Sequence, residues 1–385
     1  MFEIEEVRGQ KAKIKVVGIG GAGGNAINNM IVSNLQGVEF IAINTDMQSL
    51  ENSLAPVKVQ IGADLTRGLG AGSNPQLGRE AALEDRTAIA ESLEGSDMVF
   101  ITAGMGGGTG TGAGPVVANI AKELNALTVA VITKPFFYEG KNRLINAEEG
   151  IKELNKHADT LIVIPNDRIG LVVEKGTPLL KSFAIANDVL KQAVQGISDI
   201  ILVPGLINVD FADIRTIMED KGRGVMGSGL AKGEGRALEA AKKAISNPLI
   251  EESSIEGAKG ILINITGGPE LSLNEVQEAA SLIYDSAHEE VNIIFGAVID
   301  YDISDEVKVT VIATGFTDQK EKVELPQVKR WTPIKEPASF RGSDRVLTKS
   351  LGSDYATDVV ATDIMSYEAP IDVPTFLRKA IRKEI

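Results

Sequence analysis

The 385-residue chain has no cysteine and only two histidines, His157 and His288. The first absence excludes disulfides, thiol catalysis and thiolate metal sites, and suits a cytosolic setting. The second leaves little basis for a histidine-built metal or acid–base centre. No apolar run is long enough to span a bilayer. The start, Met1-Phe-Glu-Ile-Glu-Glu, is acidic and does not read as a signal peptide. A formal net charge of −14 argues against a general nucleic-acid binder. The single tryptophan, Trp331, lies in a stretch without core pattern, so its fluorescence reports little about the fold. The lysine-ended phosphate loop G-x-x-x-x-G-K-[ST] is missing as well.

Glycine is abundant, and it is concentrated. Seven of the eleven residues from Gly104 to Gly114 are glycine. The apolar run Asp97–Ala103 before them reads as a buried strand, and Pro115–Leu124 after them as a helix. Glycine there gives access to positive φ and lets backbone approach a ligand closely. A helix start adds free N–H groups and the positive dipole end, so the stretch reads as a phosphate cradle. Thr109 and Thr111 supply hydroxyls for the same oxygens. Without a P-loop lysine, backbone amides, the helix dipole and Mg²⁺ must balance the charge.

A second glycine loop follows the first strand, Lys13–Gly20, and runs from Gly20 through Gly21, Ala22, Gly23 and Gly24 to Asn25 before a helix over 26–32. Gly18-x-Gly20-x-x-Gly23 matches the dinucleotide fingerprint, and Asp46, ending the strand 39–46, stands where a ribose-binding acid would. An NAD(P)-dependent oxidoreductase is therefore one reading. Two cradles aimed at one point suit a single triphosphate better. A third glycine-rich loop, Gly68–Pro75, reads equally as a connector or as part of the site. A helix is expected over 76–93.

Strands are expected at 127–133 and 160–165, with an amphipathic helix over 143–157 between them. Continuously apolar strands alternating with helices indicate a mostly parallel, Rossmann-like α/β sheet covered on both faces, with ligands at the carboxyl ends of the strands. Residues 178–202 read as one long central helix. It carries Phe183 and Asn187 on one face, an arrangement that suits base stacking and base-edge reading or ordinary core contact. Asn208 or Asp210 caps a short helix over 211–220, and Asp210 and Asp213 share its face. Such a pair is either the usual acidic first turn or a site that binds a cation or orients water. Strands at 222–230, 260–266, 292–299 and 307–313, with helices over 235–246 and 272–288, form a smaller α/β domain with its own sheet.

From residue 317 the periodicity stops. The boundaries expected are a flexible N-terminus over 1–12, a nucleotide-binding domain over 13–177, the central helix over 178–203, a second domain over 204–316, a disordered linker over 317–369 and a docking peptide over 370–385. Residues 317–385 carry twelve Lys/Arg and eleven Asp/Glu, so the acidity belongs to the body. At the end, Asp372–Lys383 places Phe376, Leu377, Ala380 and Ile381 on one face with basic residues around them, which reads as a docking or membrane-surface segment.

Gly106–Gly112 resembles the tubulin-superfamily signature. Together with Gly20–Asn25, Asn208–Asp213 and Pro374–Arg378, it makes the chain similar to the FtsZ family, the bacterial cell-division GTPases related to tubulin. The likeness covers about 12–316 and the terminal peptide. It implies GTP or GDP with Mg²⁺ carried by the nucleotide rather than by dedicated protein ligands. It implies phosphate contacts from Gly20, Gly21, Ala22, Gly23, Gly24 and Asn25 with Gly104, Gly106, Gly107, Gly108, Thr109 and Gly110, and γ-phosphate sensing by Ala71 and Gly72. Glu139 and Arg143 would flank the ribose, and Asn166, Phe183 and Asn187 would read guanine. Asn208, Asp210 and Asp213 would complete the site of the next subunit in a head-to-tail filament. The resemblance further implies a cytoplasmic protein at the mid-cell division site, no nucleic-acid partner, and membrane contact made indirectly, through adaptor proteins that bind Asp372–Lys383. A nucleotide-binding scaffold that polymerises without efficient catalysis is the third reading.

Overall fold

The computed structural model describes residues 12–172, 176–203, 205–207, 209–248, 255–288 and 291–316. The expectations for the N-terminal segment, the linker, the docking peptide and Asn208 lie outside the described residues.

Apolar runs form the strands of the first half: β1 (Ile14–Ile19), β2 (Val38–Asn44), β3 (Val57–Gln60), β4 (Met98–Gly104), β5 (Leu127–Lys134) and β6 (Thr160–Pro165). All six pair in parallel, in the order β3-β2-β1-β4-β5-β6. Every residue of β1 is buried, as parallel pairing with cover on both faces requires. Alternate residues then serve different cores. Ile14 and Val16 pack with α1 (Gly20–Val32), α9 (Leu179–Leu202) and α10 (Phe211–Met218), whereas Val17 and Ile19 pack toward the opposite face. That other face is covered by α4 (Pro75–Glu84), α5 (Arg86–Leu93), α6 (Thr109–Glu123) and α7 (Lys141–Leu154). Short helices α2 (Met47–Glu51), α3 (Ala63–Thr66) and α8 (Asn166–Val172) fill the connections.

The helix expected over 76–93 is two helices. Asp85 separates them, and its carboxylate accepts the Gly62 N–H at 2.6 Å. The sequence between is helix-compatible, and a partner 23 residues away ends the first helix.

The second half comprises β7 (Gly222–Lys232), α11 (Arg236–Ile245), β8 (Gly260–Gly267), α12 (Leu273–Asp285), β9 (Asn292–Ile299) and β10 (Glu306–Thr314). It does not have a sheet of its own. β6 pairs β7 in parallel over Thr160–Gly222, Leu161–Arg223 and Ile162–Gly224, and the order continues β7-β10-β8-β9 to make one ten-stranded sheet. The junction is only three residue pairs wide, too short to leave a trace in hydrophobic pattern. α9 binds the halves together: Ala193, Val194 and Ile197 lie in one core with Phe100 and Val129 of the first half and Leu262 and Ile312 of the second.

Where α9 meets the second half, Asp199 and Lys308 line a cavity of about 550 Å³. Burial pushes the Asp199 carboxyl up to about 6 from its ordinary 3.8, with Lys308 opposing. Burial likewise pushes the Lys308 amine down, with Asp199 opposing. A carboxyl raised on folding binds more protons in the folded state. Its contribution is therefore most favourable at low pH and declines as pH rises from about 4 to about 6. Asp199→Asn should remove that decline. The melting temperature of the variant relative to wild type should rise between about pH 4 and pH 6 and level off above that, with a ceiling of about 3 kcal/mol over the whole window, lowered by whatever Lys308 loses. A difference that does not change with pH would show that Asp199 does not titrate in this window.

Candidate functional site

The carboxyl ends of β1, β4, β5 and β6 open onto one cleft of about 430 Å³. α1 starts at Gly20 itself, with φ +70°, and α6 starts at Thr109, so the glycine loops are first helical turns more than they are loops. Pro115 lies inside α6 and does not open it. Neither α1 nor α6 has a side chain capping its free N–H groups. Asn74 on α4, Asp210 on α10 and Ser272 on α12 do cap, while α3, α5, α7, α9 and α11 are uncapped as well, so what distinguishes α1 and α6 is that both start on one cleft. Two uncapped helix starts on one cleft leave backbone donors and two dipole ends for an anion.

The glycines divide by role. Gly20, Gly21, Ala22, Asn25, Gly104, Gly107, Gly108, Thr109 and Gly110 line the cleft. A Cβ on Gly20 would lie 3.0 Å from the Gly110 nitrogen, so the two cradles nearly touch. Gly23 and Gly106 are not among the residues that line it. A Cβ on Gly23 would lie 2.4 Å from the Thr102 carbonyl oxygen, and one on Gly106 would lie 2.7 Å from that of Arg143. Their absent side chains let helix, strand and loop backbones meet. Gly24 lines a smaller neighbouring cavity with Asn28 and Asn44.

Thr111 departs from its expected part. Its hydroxyl accepts the Gly106 N–H at 2.8 Å, and it is buried away from the cleft, so it braces the cradle's turn instead of facing a ligand. Asp46 likewise does not serve as a ribose acid: β2 ends at Asn44, and the Asp46 carboxylate caps α2 by accepting the Ser49 N–H at 3.1 Å.

The third glycine loop is not a bare connector. Ala71 is buried against the main cradle, and a Cβ on Gly108 would lie 2.7 Å from the Ala71 Cβ. Gly72, with φ +54°, has open space around its Cα. The loop is held there by α4, which crosses α6 at two glycines. A Cβ on Gly78 would fall 2.4 Å from the Gly108 carbonyl oxygen, and one on Gly112 would fall 1.9 Å from that of Pro75.

At the far end of the cleft, Phe183, Ala186, Asn187 and Leu190 come from the first turns of α9, and Asn166 from the start of α8. The Phe183 ring is 41% exposed and meets Phe136 edge-on at 5.7 Å. Asn166 is buried, and its Oδ1 has no hydrogen-bond partner among the described residues, an unmet acceptor at a ligand-sized opening. Arg143 is the one basic side chain among the cleft's lining residues, and it is paired at 2.5 Å with Glu139. Glu139 also accepts the Phe136 N–H at 2.9 Å. Beside them, burial and then the charges of Glu139 and Asp167 push the Tyr138 phenol up.

Thr133 and Pro135 line the cleft too, and sequence reasoning misses them. The available signal is their position at the end of β5, where open parallel sheets bind ligands.

Asp210 and Asp213 are exposed and do not line the cleft. The Asp210 carboxylate accepts the Asp213 N–H at 2.8 Å and so caps α10. Between Asn187 and Leu202, α9 runs for roughly 22 Å at 1.5 Å per residue, which sets the carboxylates far from the base end of their own cleft. The preceding loop is tied to β9 through the Ile207–Ala297 bridge.

A chain that must hold phosphate on backbone donors, without a lysine, falls among the nucleotide-binding α/β proteins that lie outside the P-loop class. Residues 13–174 match the GTPase domain of the Tubulin/FtsZ family, and residues 222–317 match the C-terminal domain of the FtsZ family. A solved FtsZ dimer from M. jannaschii is 46% identical, with a TM-score of 0.76 over 80% of this chain and 89% of that one. A tryptophan-to-tyrosine mutant of FtsZ from M. jannaschii is also 46% identical, with a TM-score of 0.76 over 80% of this chain and 92% of that one. CetZ2 of Haloferax volcanii, solved as a GTPγS-bound protofilament, shares the fold at 20% identity, with a TM-score of 0.68 over 80% of this chain and 94% of that one. The chain belongs to the FtsZ family, and its first half is a GTPase domain of the tubulin type.

Proposed function

We propose that this chain hydrolyses GTP at a site shared between two copies stacked head to tail, and that the filaments so formed build the cell-division ring. The observation that carries this reading is the separation between a well-formed nucleotide cleft and an exposed carboxylate pair that does not line it.

In this reading the N–H groups of Gly20, Gly21, Ala22 and Asn25 and those of Gly107, Gly108, Thr109 and Gly110 hold the phosphates. Gly23, Gly104 and Gly106 allow the backbones to come close enough, and Gly24 keeps the outer wall open. Ala71 and Gly72 sense the γ-phosphate. Glu139 and Arg143 flank the ribose. Phe183 stacks on guanine, and Asn166 and Asn187 read its edge. Mg²⁺, arriving with the nucleotide, supplies charge neutralisation that no lysine provides. Asp210 and Asp213, with Asn208, enter the next subunit's cleft and orient the attacking water. Phosphoryl transfer needs mainly positioning and charge stabilisation, which a divided site can provide.

Exposed apolar side chains support the stacking. Leu69, Phe137 and Tyr138 stand exposed on segments that flank the cleft, and Leu206 and Ile207 precede Asp210. The similar proteins solved as a dimer and as a protofilament fit the same arrangement. A heterologous contact of this kind does not close, so it propagates. The γ-phosphate state would then govern filament lifetime. The functional division is a GTP-binding domain over 13–177, the central helix over 178–203, a domain carrying the catalytic loop over 204–316, a linker over 317–369 and a docking peptide over 370–385. Through Asp372–Lys383 the filament would bind membrane-adaptor division proteins and so gather in the cytoplasm at mid-cell.

The test is phosphate release from GTP per protomer across a series of protein concentrations with Mg²⁺. Specific activity should be near zero at low concentration and rise past a threshold. Flat specific activity would mean that each chain holds a complete site, and the shared-site reading would fall.

A further inference from the structure

We propose that Thr45 is a positioning residue for GTP hydrolysis: its hydroxyl aims Thr109 into the cleft, while its carbonyl holds the third glycine loop, so that nucleotide occupancy is felt by that loop through one residue. The inference rests on the GTP reading above.

Thr45 follows β2 and is fully buried. It does not line the cleft. Its Oγ1 lies 2.7 Å from Thr109 Oγ1, a buried contact across 64 residues of sequence, and that is its one side-chain hydrogen bond among the described residues. Either atom could donate on distance alone. Donor accounting decides between them. A hydroxyl has one proton, and a buried donor left unpaired is costly. Thr45 has nowhere else to donate, whereas Thr109 lines the cleft. Thr45 therefore donates and Thr109 accepts, which leaves the Thr109 proton directed to the ligand side, where an anionic phosphate oxygen is the natural acceptor. The reverse assignment would strand the Thr45 proton in the core and spend the Thr109 proton away from the ligand.

The backbone of the same residue reaches the other way. The Thr45 carbonyl accepts the Gly70 N–H at 3.3 Å, and it lies 3.2 Å from the Thr66 hydroxyl, whose one proton has the shorter acceptor in the Gly62 carbonyl at 2.9 Å. Adjacent contacts tighten the seam: Met47 N–H donates to the Gly68 carbonyl at 3.0 Å, and Asp46 bridges Leu69. Thr45 thus joins the start of α6, the end of β2 and the loop that packs Ala71 onto Gly108. A phosphate that draws the Thr109 hydroxyl inward pulls on Thr45, and the Gly70 bond responds.

The experiment uses the full chain, with Thr45→Val, Thr45→Ala and Thr45→Ser. At saturating GTP and a protein concentration well above the activity threshold, kcat should fall about tenfold in Thr45→Val, the equivalent of about 1.4 kcal/mol at the transition state, and return in Thr45→Ser. The affinity for GDP should stay within about threefold, since the backbone donors are untouched. In the wild-type protein, GDP should slow amide exchange at Gly70. GDP has no γ-phosphate to touch the third loop directly, so that protection must pass through the protein. In Thr45→Val or Thr45→Ala the protection should vanish. An unchanged kcat in both hydroxyl-free variants, equal loss in Thr45→Ser, or no GDP-dependent protection at Gly70 in wild type would each overturn the proposal. Should Thr45→Val not fold, Thr45→Ala and the wild-type exchange measurement still decide. A wild-type protein that binds GDP but shows no concentration threshold overturns the shared-site reading and leaves the Thr45 test standing.

Discussion

Asp213→Ala should bind GTP as the wild-type chain does and lose turnover by roughly 100-fold or more, the scale of removing a group that manages the reacting proton. The argument is one of place. Asp213 is exposed in the first turn of α10, and among the described residues its carboxylate makes no hydrogen bond or ion pair. The cap of that helix is the Asp210 carboxylate, which uses the Asp213 backbone N–H and survives the substitution. Asp210→Ala is the less clean variant, because it removes the cap as well, at about 1 kcal/mol. Binding would be read by nucleotide titration of the isolated protein and turnover by phosphate release above the activity threshold. Retained turnover in Asp213→Ala would remove this residue from the catalytic assignment.

The second large effect is on stability and binding together. Gly112→Ala should lower stability by about 3 kcal/mol or more and weaken GTP binding, whereas Gly114→Ala, two residues on in the same helix, should be neutral or stabilising. A Cβ on Gly112 would lie 1.9 Å from the Pro75 carbonyl oxygen and 2.6 Å from the Arg79 nitrogen. Both atoms are backbone, so no side-chain rotation relieves the clash, and α4 must move. α4 carries the third loop, so Ala71 would lift off Gly108. At Gly114 the nearest atom to a Cβ is the flexible end of Met105 at 3.9 Å, and alanine gains helix propensity. Chemical denaturation with nucleotide titration of both variants separates the cases. Equal stability of the two would show that the α4–α6 crossing has slack.

The strands that build the cleft were readable because parallel strands covered on both faces are continuous apolar runs, as β1 and β4 are. The cradles were readable because a glycine cluster between strand and helix has few other uses. A cap at Asn208 or Asp210 was readable from the place of both before a short apolar-periodic helix, and the fold chose Asp210. Other residues left no mark. Thr45 is an ordinary strand-end threonine until Thr109 arrives from 64 positions away. Gly78 looks like a weak point in a helix until α6 lies across it. Thr111 looks like a second ligand hydroxyl until the loop closes and Gly106 claims it.

By itself the sequence determined the kind of sheet, the succession of its main strands and longer helices, the glycine-rich stretches that line the cleft and the family to which the chain belongs. These are local properties: period, propensity and the conformational freedom of glycine act over a few residues. Only the tertiary structure decided that one sheet of ten strands runs through both halves, that Asp85 splits a helix, that Asp46 caps instead of reaching a ribose, and that the two carboxylates stand outside their own cleft. Each of these turns on a contact between residues that meet only on folding, and hydrogen-bond direction and backbone clearance at such contacts exist only once the chain has folded.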